Sequence, residues 1–387
     1  MKKLMVIPLV AAGMAAMVGC SKTPVKEAAK NDAINLANLD TAVAPGTDFY
    51  QYACGGWMKN NPLKPEYARF GTFDQLRDNN QEQIRTLIEG LSETPGQEGS
   101  VGQKIGMLFA MGMDSVKLNE DGYAPIKDQL AEINKLGTKD ELTKMVATLH
   151  KEGMAPFFAL YVGADEKNSS MNIVQLYQAG LGMGDRDYYL LEDESSQKMR
   201  EAYKNYITRL FTLIGSSPEQ ADAAVNAIMK IERGIAEVSF SREDLRDSQK
   251  NYNKMSIEDF KAKNDLLNWD VYFESMGMMD IKYLDAKQLS FYEGLSALMK
   301  NTTLDEQKYY LTFNLLSDPF VAADFDFYGK TMSGRQEQQP RWKRALSTVN
   351  GALSEAVGQM YVAKYFPASS KEKMLKMVGD LQKALGD

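Results

Sequence analysis

Along most of the chain, apolar positions recur every three or four residues, the period of one helix face. The clearest case is 221–238, where Ile228, Ile231, Ile235 and Val238 are spaced 3, 4 and 3 apart. Another helix is expected to open at Thr72, because Thr72 and Gln75 have capping-box spacing. Its apolar positions are Phe73, Leu76, Ile84, Leu87 and Ile88, with Gly90 as a stop. Further helices are expected near 101–113, 123–135, 139–150, 196–214, 285–299, 303–316, 340–365 and 369–385. The middle departs from this pattern. Phe157 to Val162 is aromatic and β-prone, Asp165 to Ser170 is polar, and Met171 to Tyr177 is strand-like again. That order predicts a β-hairpin over 157–177 with a longer loop. No repeat of 20–50 residues is visible in the sequence, so a solenoid is not expected. The expected fold class is mainly α, multi-helical, with one small β-hairpin.

The N-terminus has its own pattern. Lys2 and Lys3 precede an uncharged apolar run from Leu4 to Val18. The run is short for a membrane span, which needs about 20 residues, and it reads as a signal-peptide core. It ends Met17-Val18-Gly19-Cys20-Ser21, which resembles the lipobox of bacterial lipoproteins, with Cys20 as the lipidated residue. On this reading 1–19 is a signal peptide. Residues 20–40, rich in Ala, Lys and Asn, form a tether, and 41–387 is the folded part. The chain is then an exported lipoprotein, periplasmic or at the cell surface. An ordinary secretory signal with an incidental cysteine is the alternative.

Composition narrows the function classes. Of 387 residues, 44% are hydrophobic and 25% charged, as in ordinary globular proteins. Removing residues 1–19 removes two lysines and no acid, taking the formal charge from −7 to −9. That argues against nucleic-acid binding and against a polybasic membrane surface. With Cys20 acylated, Cys54 is the remaining thiol, either buried or paired outside this sequence. There is one histidine, His150. A catalytic zinc site usually takes two or three, so these residues do not contain a complete His-rich zinc site. His150 ends a helical run, where the helix dipole favours it, and is expected to be structural. Other motifs fail. Gly329-Lys330-Thr331 has Asp324 where a P-loop needs glycine, and Gly180, Gly182 and Gly184 read as a turn. Asp324-Phe325-Asp326 lacks the rest of an EF-hand loop.

Several longer blocks point further. Residues 45–78 read PGTDFYQYACGGWMKNNPLKPEYARFGTFDQLRD, and 180–190 read GLGMGDRDYYL. Later come Arg246-Asp247 with Tyr252-Asn253-Lys254-Met255, then Pro340-Arg341-Trp342-Lys343-Arg344, then Ala356 to Val362 and Tyr365-Phe366-Pro367. In this order they closely resemble the neprilysin and endothelin-converting-enzyme family of zinc metallopeptidases, from about Pro45 onward. Gly184 stands where that family usually has proline. The resemblance implies a helical lobe capping a thermolysin-like lobe, with the substrate cavity between them. The second lobe would carry H-E-x-x-H and a downstream Glu as zinc ligands, and a strand with an Asn-Ala pair for the substrate backbone. These motifs are not in this sequence. The chain therefore looks like the N-terminal half of a longer zinc-dependent endopeptidase, with zinc in the full-length protein and none bound here.

The resemblance also places Arg69, Phe73, Asp74 and Arg77 on the primed side of the cleft, with Arg69 associated with the substrate's terminal carboxylate. The chemistry suits an oligopeptide, since guanidinium groups grip carboxylates bidentately. Taken on residues alone, Arg77 is a surface partner for Asp74 or Asp78, Phe73 is core, and Gly55-Gly56-Trp57 is a tight turn with a packed Trp. Cys54 matches a cysteine that, in animal relatives, pairs with one near the C-terminus. No catalytic residue is assigned. The expected partners are oligopeptides, the membrane through the lipid, and the missing catalytic lobe. The alternatives are a stand-alone peptide-binding lipoprotein or an adhesive surface lipoprotein.

Overall fold

The computed structural model describes residues 35–94, 96–317 and 337–386. The expected signal peptide, Cys20, most of the expected tether and the rejected motifs at 324–331 lie outside the described residues. The described residues divide into two compact units between Pro62 and Leu63.

In the first unit a 3-10 turn, Leu36–Asn38, precedes helix α1, Phe49–Asn60. Asp48 caps α1 by accepting the Gln51 N–H at 2.9 Å. Gly55 and Gly56 are therefore mid-helix and not the expected tight turn. The physical reason is close approach. A Cβ on Gly56 would lie 2.4 Å from the Ala37 carbonyl oxygen, and one on Gly55 would lie 2.7 Å from Asp40 Cβ. The pair lets α1 lie against residues 37–40, where the Asp40 N–H donates to the Tyr52 carbonyl at 2.8 Å.

The second unit opens with α2 (Thr72–Glu93), α3 (Val101–Met113), α4 (Ser115–Asp121), α5 (Lys127–Lys135) and α6 (Lys139–Lys151). The hairpin follows, β1 (Phe158–Asp165) and β2 (Asn168–Gln178), then α7 (Asp187–Leu190), α8 (Glu194–Leu213) and α9 (Pro218–Val238). Strand β3 (Lys254–Ser256) leads to α10 (Ile257–Lys263), α11 (Trp269–Met276) and β4 (Tyr283–Ala286). Helices α12 (Leu289–Lys300), α13 (Leu304–Leu316), α14 (Arg341–Tyr365) and α15 (Ala368–Gly386) complete the described chain. The fold is mainly α, as the periodicity implies, and most long helices match their expected ranges within a few residues.

The β region differs from expectation. Only Glu166 and Lys167 separate β1 from β2, because Asp165 Oδ1 accepts the Lys167 N–H at 2.9 Å and closes the turn. The hairpin belongs to a four-stranded sheet of order β1-β2-β4-β3. β4 runs parallel to β2, Leu284 opposite Val174, and antiparallel to β3. The helix expected from 285 therefore begins at Leu289, since Asp285 and Ala286 belong to β4. Strands of three and four residues carry no readable period.

Two hydrophobic cores result. The larger joins α5, α6, α8, α9 and α11–α13 to the inner face of the sheet, with Phe158 ringed by His150, Trp269, Tyr272 and Tyr292. The smaller packs Ile84 and Ile88 of α2 against Ile105 and Phe109 of α3 and Leu346 and Val349 of α14. Each such buried side chain is worth about 1.5–3 kcal/mol. Gly106 sits so close to the Leu91 carbonyl that a Cβ would lie 2.7 Å from its oxygen. This lets α3 nest on α2.

His150 is structural, but the dipole is not the reason. Its Nε2–H donates to the Pro156 carbonyl at 3.1 Å, and Nδ1 accepts the Tyr272 hydroxyl at 2.6 Å. Burial lowers its pKa to about 4, so the imidazole is neutral.

Candidate functional site

The four residues singled out above lie where the chain enters α2. The N-cap is Gly71, whose N–H donates to Asp74 Oδ2 at 2.9 Å. The capping box expected at Thr72 and Gln75 is thus displaced by one residue, because the Asp74 carboxylate is the acceptor that reaches back. The helix runs past Gly90 to Glu93. The glycine costs about 1 kcal/mol against alanine, and the packing of Ile88 and Leu91 outweighs it.

Phe73 is not core. It is 87% exposed. It precedes Ile84 by about three turns, so the helical period assigns both to one stripe. That stripe is covered only from Ile84 onward, since Ile84 and Ile88 are the buried residues of α2. Arg77 Nη2 lies 2.5 Å from Asp74 Oδ1, and both remain partly exposed, so the pair adds about 0–1 kcal/mol. Arg69 is exposed, on the segment before α2, and makes no hydrogen bond or ion pair to the described residues. The structure therefore joins Asp74 to Arg77, sets Phe73 on the surface beside them, and leaves Arg69 untied to the other three.

Sequence reasoning missed the residues that hold this corner. Lys343, on the first turn of α14, is 5% exposed. Its Nζ donates to Asp78 Oδ1 at 2.6 Å and to the Tyr67 hydroxyl at 2.8 Å. The Tyr67 hydroxyl donates to Asp78 in turn. Burial alone raises the Asp78 pKa, but the Lys343 and Tyr67 hydrogen bonds and the Lys343 charge leave it lowered. Burial lowers the Lys343 pKa less than Asp78 and Tyr67 raise it, so the ammonium is held charged. No local pattern marks this trio. The only hint was that Tyr67, Asp78 and Lys343 all fall inside the resembling blocks.

A second buried group lies away from this corner. Glu232 of α9 accepts the Tyr189 and Tyr203 hydroxyls at 2.6 and 2.9 Å, and its pKa is pushed up to about 8 by burial. This ties the 180–190 segment, a turn with positive φ at Gly180 and Gly184, to α8 and α9.

The described residues do not fit a zinc site. Both nitrogens of His150 are engaged. No group of three or more His, Cys, Asp or Glu among the described residues could hold a metal ion. Cys54 is free.

The sequence pattern of peptidase family M13 matches residues 45–387. The chain belongs to peptidase family M13. It is 29% identical to human (Homo sapiens) endothelin-converting enzyme 1 over 368 residues, covering 90% of this chain and 47% of that protein. It is 27% identical to neprilysin-11 of Caenorhabditis elegans over 383 residues, covering 91% of this chain and 45% of that protein. Among solved structures, the Mycobacterium tuberculosis zinc metalloprotease Zmp1 in complex with inhibitor is similar at TM-score 0.82 and 27% identity. That match covers 91% of this chain and 54% of Zmp1. The M13 chain thus spans about half the length of the relatives it matches. Among its described residues no helix is long and apolar enough to cross a membrane.

Proposed function

We propose that this chain is the helical substrate-cavity lobe of a zinc-dependent metalloendopeptidase that hydrolyses oligopeptides. The observation that carries the reading is a family match over 45–387 that spans only about half of each relative. On this reading the other half supplies the catalytic zinc, whose chemistry is Lewis-acid polarisation and an activated water. The described residues do not fit that ion, so this chain's part is to bind and orient the peptide.

Arg69, Phe73, Asp74 and Arg77 are the proposed binding residues. The exposed Phe73 ring offers an apolar contact. Arg69 and Arg77 offer guanidinium donors for a carboxylate, and Asp74 orients Arg77. In this reading residues 1–19 are a signal peptide, Cys20 carries the lipid, 20–40 is the tether and 41–387 the lobe of an exported bacterial lipoprotein.

Two measurements test this. Calorimetric titration of the chain with a tetrapeptide should give binding that weakens about tenfold in Arg69→Ala, the size of one lost charge-assisted contact. Equal binding by both proteins would remove Arg69 from the site. Mass spectrometry of the chain made in a bacterium should find an acylated N-terminal Cys20, and an uncleaved or unmodified Cys20 would overturn the lipoprotein assignment.

A further inference from the structure

The Lys343 ammonium reaches across the fold to the two ends of the candidate site. Tyr67 lies two residues before Arg69, and Asp78 directly follows Arg77. Both accept hydrogen bonds from Lys343 Nζ, at 2.8 and 2.6 Å. Segment 64–71 is held at further points. The Glu337 N–H donates to the Pro65 carbonyl at 3.1 Å, and Lys64 Nζ lies 3.6 Å from Asp78 Oδ2. The Tyr67 ring meets Phe70 edge-on at 5.2 Å. Among the described residues nothing comparable holds Arg69 itself, so the ties at Tyr67 and Asp78 are what fix the segment that carries it.

Two guanidinium groups grip one carboxylate only if their separation is set beforehand. A flexible link between Arg69 and α2 would spend binding energy on ordering the pair.

We propose that Lys343 is a positioning residue for peptide binding. By drawing Tyr67 and Asp78 onto one ammonium, it sets Arg69 against the Phe73 and Arg77 face of α2 for a peptide with a free C-terminal carboxylate. This rests on the reading of Arg69, Phe73 and Arg77 as peptide-binding residues.

The test compares the full chain as wild type, Lys343→Met, Tyr67→Phe and Arg69→Ala. Each is titrated by calorimetry with a tetrapeptide ending in leucine, once with a free carboxylate and once amidated. The readout is the ratio of the two affinities. A merely structural role lowers both affinities together and leaves the ratio unchanged. The expected result is a ratio that falls about tenfold in Lys343→Met and by a smaller factor in Tyr67→Phe. A ratio kept by both variants but lost in Arg69→Ala overturns the positioning role and leaves the binding reading intact. A wild-type chain without carboxylate preference overturns the binding reading, and the positioning role with it. Should Lys343→Met fail to fold, Tyr67→Phe carries the test, since it removes one hydroxyl and keeps the ring.

Discussion

Lys343 Nζ lies 2.6 Å from Asp78 Oδ1, although 265 positions separate the two residues in sequence. The contact pins the start of α14 to the second turn of α2. Replacing Asp78 by Ala leaves the Lys343 charge buried, with the Tyr67 hydroxyl as its remaining hydrogen-bond partner among the described residues. Breaking a buried pair in this way costs about 3–5 kcal/mol, read as a lower urea midpoint at unchanged slope. The Asp78 pKa is lowered in the fold. Its contribution is therefore complete above the unfolded carboxyl pKa and is lost as pH falls through the folded one.

As a proposed binding residue on the surface, Phe73 should separate stability from binding. Because it is 87% exposed, Phe73→Ala should change stability by no more than about 0.5 kcal/mol. The same variant should bind an oligopeptide more weakly than wild type. A large fall in thermal stability, or unchanged peptide affinity, would contradict the surface role assigned to this ring.

Glu232 should make the fold less stable as pH rises. Its folded pKa is about 8 against an ordinary value of 4.5, because burial disfavours the charge. Between these values the folded state holds a proton that the unfolded state has released. Stability should then fall with pH across that window, at a limiting slope of about 1.4 kcal/mol per pH unit. Glu232→Gln should flatten the slope, measured by denaturant titration at several pH values. A wild type equally stable at pH 5 and pH 8 would count against the raised pKa.

His150 acts in the opposite sense at lower pH. Its folded pKa is near 4 against an ordinary value of 6.5, because burial disfavours the charge, so the unfolded state takes up a proton that the folded state does not. Stability from this residue is intact above the unfolded pKa and declines as pH falls toward 4. As the one histidine of the chain, it gives an unambiguous NMR signal. Its imidazole shifts should stay constant from pH 8 to 5.5, and a midpoint near 6.5 would refute the buried neutral state.

Much of the architecture was legible in the sequence. The Ile228, Ile231, Ile235 spacing marks α9 and its buried face because a helix repeats within a few residues. The hairpin was visible from two β-prone runs, though its turn is shorter than the polar stretch implied. Strands β3 and β4 were not legible, since their partners lie far along the chain and their three or four residues hold no period. At the candidate site the Asp74 and Arg77 pair follows from a three-residue spacing on one helix. The exposure of Phe73 does not, because periodicity assigns a face without saying what covers it.

The sequence by itself determined where the long helices run, the mainly helical class, the family blocks, and that a single histidine cannot make a His-rich zinc site. These are properties of composition or of residues close together in the chain. Only the tertiary structure decided that Gly55 and Gly56 serve a close helix approach, that Phe73 faces solvent, and that Lys343 joins Tyr67 to Asp78. Those outcomes depend on which distant segments meet, and on the cost of burying an ammonium without partners. Local periodicity encodes neither.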